Sequence, residues 1–262
     1  MRQLSSIRLI SHQFRTGEEP VVVECSDMKT RVCKYPRMSG SAYKLACEVI
    51  GEAMARAWGL NAPSCDLVLI KRIHVPSTIS PHLFTVPCIG TIYIDNLVDI
   101  TPSSYSIVNQ TRKNLQALLQ VALLDFWLAN EDRNTNNANL MYSVEQDTII
   151  PIDFGCILNT ATFDYSLSQL TSTDTILYAS LFHHLVAQTA SAEVLEIATE
   201  LKPWYKESLE KAQKIVPDIV DSLPEQWSIP KDIVLVKLQE LFTGEWIESV
   251  WDNFIENIKD NI

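Results

Sequence analysis

The chain has 262 residues, 47% of them hydrophobic and 20% charged, and a formal net charge of −11. That composition suits one large domain or two small lobes built on a packed core. The acidic balance argues against a general binder of nucleic acid or of an anionic membrane surface, because phosphate groups would be repelled.

Six cysteines stand at positions 25, 33, 47, 65, 88 and 156, and none forms a CxxC pair. Scattered single cysteines read as buried thiols in a reducing compartment. The five histidines show no metal-ligand spacing. The N-terminal residues lack a continuous apolar stretch, and no apolar run approaches eighteen residues. The expectation is a soluble cytoplasmic protein with no membrane segment.

The first third reads as β structure. Ile7–Ile10 alternates weakly, and Val21–Cys25 and Thr30–Lys34 flank the short polar turn Ser26-Asp27-Met28-Lys29, which predicts a hairpin. From Tyr43 to Trp58, apolar residues recur at i, i+3, i+4 spacing, and Gly59 fits the position just past a helix end. Strands are predicted at Cys65–Lys71 and Cys88–Ile94, with a proline-bearing loop between them. A wide apolar stripe from Leu115 to Trp127 predicts a buried helix. Met141–Val144 and Thr148–Asp153 follow as short extended segments. After about residue 174 the pattern is that of amphipathic helices, broken near Pro203, Pro217, Pro224 and Pro230. The four tryptophans of that region, 204, 227, 246 and 251, read as core. The whole reads as α+β: a small β-rich lobe with one helix, residues 1–95, and a larger helical lobe, residues 96–262.

One polar insert stands out. "LANEDRNTNNANLMY" places acids and asparagines between two apolar segments, and a second motif, "IIPIDFG", follows after a hairpin-sized gap. Together they form the pattern D-x4-N … DFG, with Asp132, Asn137 and Asp153 at its positions. Phosphoryl transfer asks a protein for positioning and charge neutralisation, and for little covalent chemistry. Asp132 would position or deprotonate an acceptor hydroxyl. Asn137 and Asp153 would offer Mg²⁺ the amide and carboxylate oxygens it prefers. Lys34, near the end of a strand, would pair the phosphates of ATP, and Glu48 on the following helix would steady it. Glu52 is the weaker choice, since it can pair with Arg56 one turn on. Ile94 and Asp95 fall where a backbone hinge would meet the adenine. Arg133 would contact a phosphate or form a surface pair with Glu131 or Asp164.

Across nearly its whole length the chain resembles the HipA-like kinases, in the short form that lacks an extra N-terminal subdomain. The resemblance rests on "EEPVVVECSDMKTRVCKYP", "ACEVIGEAMARAWGLNAP", "LLDFWLANEDRNTNNANLMY" and "IIPIDFG", with a weaker match in "SLPEQWSIPKDIVLVKLQELF". It implies a bilobal protein-kinase-like fold with ATP and Mg²⁺ in the cleft. It implies phosphorylation of serine or threonine in a protein, the kinase itself included, and the best-known relatives are toxins of toxin–antitoxin pairs. The implied partners are a protein substrate and a cognate antitoxin. One departure concerns the phosphate-covering loop: members like this one often carry Gly-Ser-Ser, where this chain has Gly17-Glu18-Glu19. Two carboxylates beside ATP phosphates oppose binding unless they turn away. Two other readings fit the residues, a lipid or small-molecule kinase and a nucleotide-binding pseudokinase that acts as an interaction module.

Overall fold

A computed structural model describes residues 1–11, 18–37 and 41–262. The N-terminal region is a closed five-stranded barrel of β1 (Gln3–Ser11), β2 (Val21–Cys25), β3 (Thr30–Lys34), β4 (Cys65–Leu69) and β5 (Cys88–Ile92), in the order β1-β2-β3-β5-β4. β2 and β3 form the predicted hairpin, with Val21 opposite Cys33 and Glu24 opposite Thr30. Met28, at φ 62°, makes the tight turn between them. β3 alternates buried and half-exposed residues, the two-residue period of a strand with one face on a core. Val21, Val23, Cys25, Cys33, Val68 and Cys88 fill the barrel interior. Closure leaves no free edge among these strands. β4 and β5 end two residues earlier than the apolar runs suggest, because the chain turns into a 3-10 segment at Arg72–His74 after β4 and into the β5–β6 connection after β5.

α1 (Ser41–Ala57) packs its apolar face inward, and Gly59 follows it at φ +81°. This left-handed conformation suits glycine, which has no Cβ to clash. A second sheet has the order β6-β7-β8, made of β6 (Leu97–Asp99), β7 (Leu140–Ser143) and β8 (Thr148–Pro151). The sequence pattern missed β6, which has only three residues and no alternation. α2 (Arg112–Leu128) is buried on nearly every side. Thr111 caps its start by accepting the Asn114 N–H at 3.2 Å, and Ala129 ends it in the left-handed region.

Beyond β8 the chain makes one short helical turn, α3 (Ile157–Ala161), in which Leu158, Asn159, Thr160 and Ala161 all have positive φ. The remainder is helical: α4 (Ser180–Val186), α5 (Ser191–Thr199), α6 (Leu201–Ser222), α7 (Lys231–Glu240) and α8 (Gly244–Lys259). α6 does not break at Pro203 or Pro217 as expected. Pro203 lies in the first turn, where no N–H has an intrahelical acceptor. Pro217 removes one internal bond, but Val216, Ile219 and Val220 around it are buried and hold the helix in place. Pro224 and Pro230 do fall between helices.

The larger core runs from α1 through α2 to α8. Trp58 stacks on Trp127 with ring centroids 5.0 Å apart, and Trp227, Trp246 and Trp251 are buried as expected, with Trp204 edge-on to Trp58. Trp227 donates its indole N–H to the Pro87 carbonyl at 2.8 Å, which ties the helical region to the loop before β5.

Candidate active site

A cavity of 560 Å³ opens between the barrel and the second sheet. Its volume is that of a small-molecule site. Val32, Ile92, Ile94, Leu97 and Met141 supply apolar wall, and Lys34, Lys44, Glu48, Asp132, Asn137 and Asp153 supply the polar groups. The β7–β8 hairpin explains why residues separated in sequence meet. It pairs Leu140 with Pro151, and the Ile152 N–H donates to the Asn139 carbonyl at 3.0 Å. Asn137 precedes one strand of this hairpin and Asp153 follows the other, so the register brings both to the same end.

Lys34 closes β3 and holds three carboxylates at once. Its Nζ pairs with Glu48 Oε1, with Asp153 Oδ1 at 2.6 Å and with Glu18 Oε2 at 3.1 Å. Burial pulls Lys34 toward its neutral form, but Glu48, Asp153 and Glu18 more than offset it, and its pKa stands above the usual lysine value. Burial pushes the Glu48 carboxyl up to about 8, and Lys34 pulls it back only in part. Burial also acts to raise Asp153, yet Lys34 and the hydrogen bonds from Glu48, Lys34 and the Gly155 N–H bring it down to about 2. One ammonium serves three acids, so the most enclosed of them, Glu48, keeps a proton most readily.

Glu48 does more than meet Lys34. Its Oε2 accepts the Phe154 N–H at 3.0 Å, which joins α1 to the DFG segment. Two glycines permit this approach. A Cβ on Gly155 would stand 2.9 Å from Glu48 Oε1, and a Cβ on Gly51 would stand 2.3 Å from the Phe154 Cβ. Asp153 itself sits at φ 59°, which turns the chain sharply out of β8.

Asp132 lies on the loop after α2. Its Oδ2 accepts from Asn137 Nδ2 at 3.1 Å and from Asn139 Nδ2 at 3.0 Å. Its N–H donates to Asn130 Oδ1 at 3.4 Å, and Asn130 in turn donates to Asp125 Oδ1 at 2.8 Å. Arg133 is fully buried, contrary to both expectations for it. Its Nε pairs with Asp125 Oδ2 at 2.8 Å, its Nη1 donates to the Ala138 and Asn139 carbonyls, and its guanidinium lies 5.3 Å from the Phe154 ring centroid. The polar loop is therefore pinned from below by an ion pair.

The structure thus gathers Lys34, Glu48, Ile94, Asp132, Asn137 and Asp153 around one cavity. Asp95, past the end of β5, lines an adjoining 420 Å³ pocket that shares Ile94 and Leu97 with this cavity. Gly17 lies outside the described residues. Glu18 is described, and its carboxylate turns toward Lys34. Glu52 pairs with Arg56 at 3.2 Å. Sequence reasoning passed over Asn139, Asn130 and Asp125. The one available signal was Asp125 itself, a lone acid inside the apolar run "LLDFWL", where a buried charge demands a partner.

The model of the HipA-like kinase family matches residues 7–250. Among solved structures, the chain is similar to a Helicobacter pylori proinflammatory kinase, CtkA, with a TM-score of 0.60 and 14% identity, over 97% of this chain and 99% of that one. A more distant similarity, to the open conformation of CtTel1, has a TM-score of 0.37 and 13% identity, over 92% of this chain and 11% of that chain. No curated protein matches. With its family match spanning nearly all of its length, the chain belongs to the HipA-like kinase family.

Proposed function

We propose that the protein transfers the terminal phosphoryl group of ATP to a serine or threonine hydroxyl of a protein, itself included, in a bilobal arrangement with residues 1–95 above the cavity and 96–262 below it. The observation that carries this reading is the convergence of Asp132, Asn137, Asp153 and the Lys34–Glu48 pair on one cavity. The apolar wall of Val32, Ile92, Ile94 and Leu97 suits an adenine ring.

The residues fit a divalent cation with nucleotide. Glu18, Glu48 and Asp153 bring carboxylate oxygens within 4.8 Å of one another. A polyphosphate entering beside three acids is repelled unless a cation comes with it. Asn137 and Asp153 would hold Mg²⁺, a hard ion that takes oxygen donors. When bound, Mg²⁺ neutralises charge on the phosphate oxygens. Lys34 binds a phosphate through its fixed ammonium. Asp132, oriented by Asn137 and Asn139, accepts the hydrogen bond of the acceptor hydroxyl and aims its oxygen at the phosphorus.

Incubation with γ-labelled ATP, with and without Mg²⁺, followed by locating the label, tests this reading. We expect Mg²⁺-dependent label on a protein hydroxyl. Asp132→Ala should lower the rate by about 10²–10⁴-fold, and Asp153→Ala should abolish transfer, with circular dichroism unchanged in both. Label on a lipid or small molecule replaces the acceptor. Nucleotide binding without turnover favours the second reading, an interaction module, which the Glu18 contact on Lys34 supports.

The same family includes toxins of toxin–antitoxin pairs, and we propose a cognate antitoxin as the partner to seek. Among the described residues, no helix is long and apolar enough to cross a membrane.

A further inference from the structure

We infer that Glu131 is a positioning residue: it clasps the left-handed turn after Asp153 to the loop that carries Asp132. The inference rests on the phosphotransfer reading above and adds a residue outside the D-x4-N and DFG positions. Both Glu131 carboxylate oxygens are engaged. Oε1 accepts from Asn159 Nδ2 at 3.0 Å, and Oε2 accepts from Thr160 Oγ1 at 2.6 Å. The backbone repeats the link: the Asn159 N–H donates to the Ala129 carbonyl at 3.0 Å, and the Glu131 N–H to the Cys156 carbonyl at 3.4 Å.

The turn needs such a clasp. Leu158 (φ 56°, ψ 47°), Asn159 (50°, 63°) and Thr160 (59°, 50°) are consecutive L-residues in the left-handed region, and Ala161 follows at φ 60°. Each presses its Cβ against the backbone, so the segment unwinds unless its surroundings over-determine it. Asn159 supplies part of the constraint by bracketing Ser168, accepting its N–H at 2.9 Å and donating to its carbonyl at 3.1 Å. Thr162 Oγ1 also donates to the Asn159 carbonyl at 2.6 Å, and Glu131 adds two bonds that reach in from another loop. Among the described residues Glu131 forms no ion pair, and Asn159 and Thr160 are its side-chain partners.

The chemistry enters through its neighbours. Glu131, Asn159 and Thr160 do not line the cavity, whereas Asp132 and Cys156, one on each side of the clasp, do. Releasing the clasp frees Asp132 and the Asp153–Cys156 segment to move relative to each other, which harms the transfer geometry and leaves the Lys34 and apolar contacts to nucleotide in place.

The test uses the full chain as wild type, Glu131→Ala, Thr160→Val and the double variant. Amide hydrogen exchange of residues 130–132 and 157–161 is followed, together with transfer kinetics and thermal unfolding. Exchange in both segments should accelerate by about tenfold in Glu131→Ala. Transfer at saturating ATP and Mg²⁺ should fall by at least about tenfold, with KM for ATP within about twofold. Thr160→Val should shift both readouts in the same direction and add nothing to Glu131→Ala, since the two groups share one contact. Unchanged exchange in residues 130–132, additive rate effects, or a rate loss that only tracks global unfolding overturns the inference. A wild-type chain without transfer overturns the phosphotransfer reading instead, and the exchange arm still decides the clasp.

Discussion

Glu18 sits on Lys34 at 3.1 Å, the position a nucleotide phosphate would claim. Its side chain is 43% exposed, so the contact is a partly solvated ion pair worth about 1 kcal/mol at most. Glu18→Gln should tighten ATP binding by up to about fivefold, the equivalent of that energy. Calorimetric titration of both proteins checks this, and equal or weaker binding by the variant removes Glu18 as a competitor. At this scale the spacing of Asp132, Asn137, Asp153, Lys34 and Glu48 made their meeting at one cavity legible. What escaped was support by common residues. Asn139 looks like any other asparagine in the run, and Arg133 reads as a surface charge until Asp125 is seen beneath it. At the expected hinge, Ile94 lines the cavity and Asp95 an adjoining pocket, because which way a side chain faces past a strand end depends on where the chain turns next, and periodicity does not report that.

At the scale of elements, α1 and the DFG segment meet with no room to spare. Alanine normally stabilises a helix interior relative to glycine by about 0.5–1 kcal/mol. At Gly51 the sign should reverse, because the new Cβ would stand 2.3 Å from the Phe154 Cβ. Gly51→Ala should cost about 1–3 kcal/mol in denaturant unfolding, the range for overpacking, and should slow transfer by displacing Asp153. A more stable, fully active variant contradicts the packing described. The opposite case is α3, where left-handed backbone costs about 1–2 kcal/mol per residue and persists through side-chain bonds from another loop. Long periodic elements such as α1, α2 and the β2–β3 hairpin could be read from sequence because their own residues specify them. α3, β6 and the uninterrupted α6 could not, because distant packing decides them.

At the scale of the whole molecule, the barrel carries Lys34 and the hairpin with α2 carries Asp132, Asn137 and Asp153. Lys34 pairs directly with Asp153, and Glu48 on α1 adds a hydrogen bond from the Phe154 N–H. Glu18, Glu48 and Asp153 meet the one ammonium of Lys34, more carboxyl groups than it can neutralise. The mixed α and β composition was legible from patterning. Closure of the barrel was not, because the parallel pairing of β1 with β4 joins segments about sixty residues apart and leaves no local trace. The proposed transfer requires a divalent cation held by Asn137 and Asp153. The most direct measurement is ATP affinity with and without Mg²⁺, in the wild type and in Asp153→Asn. Mg²⁺ should tighten binding by at least about tenfold in the wild type, or about 1.4 kcal/mol, and have little effect in the variant. Equal tightening in both would contradict it.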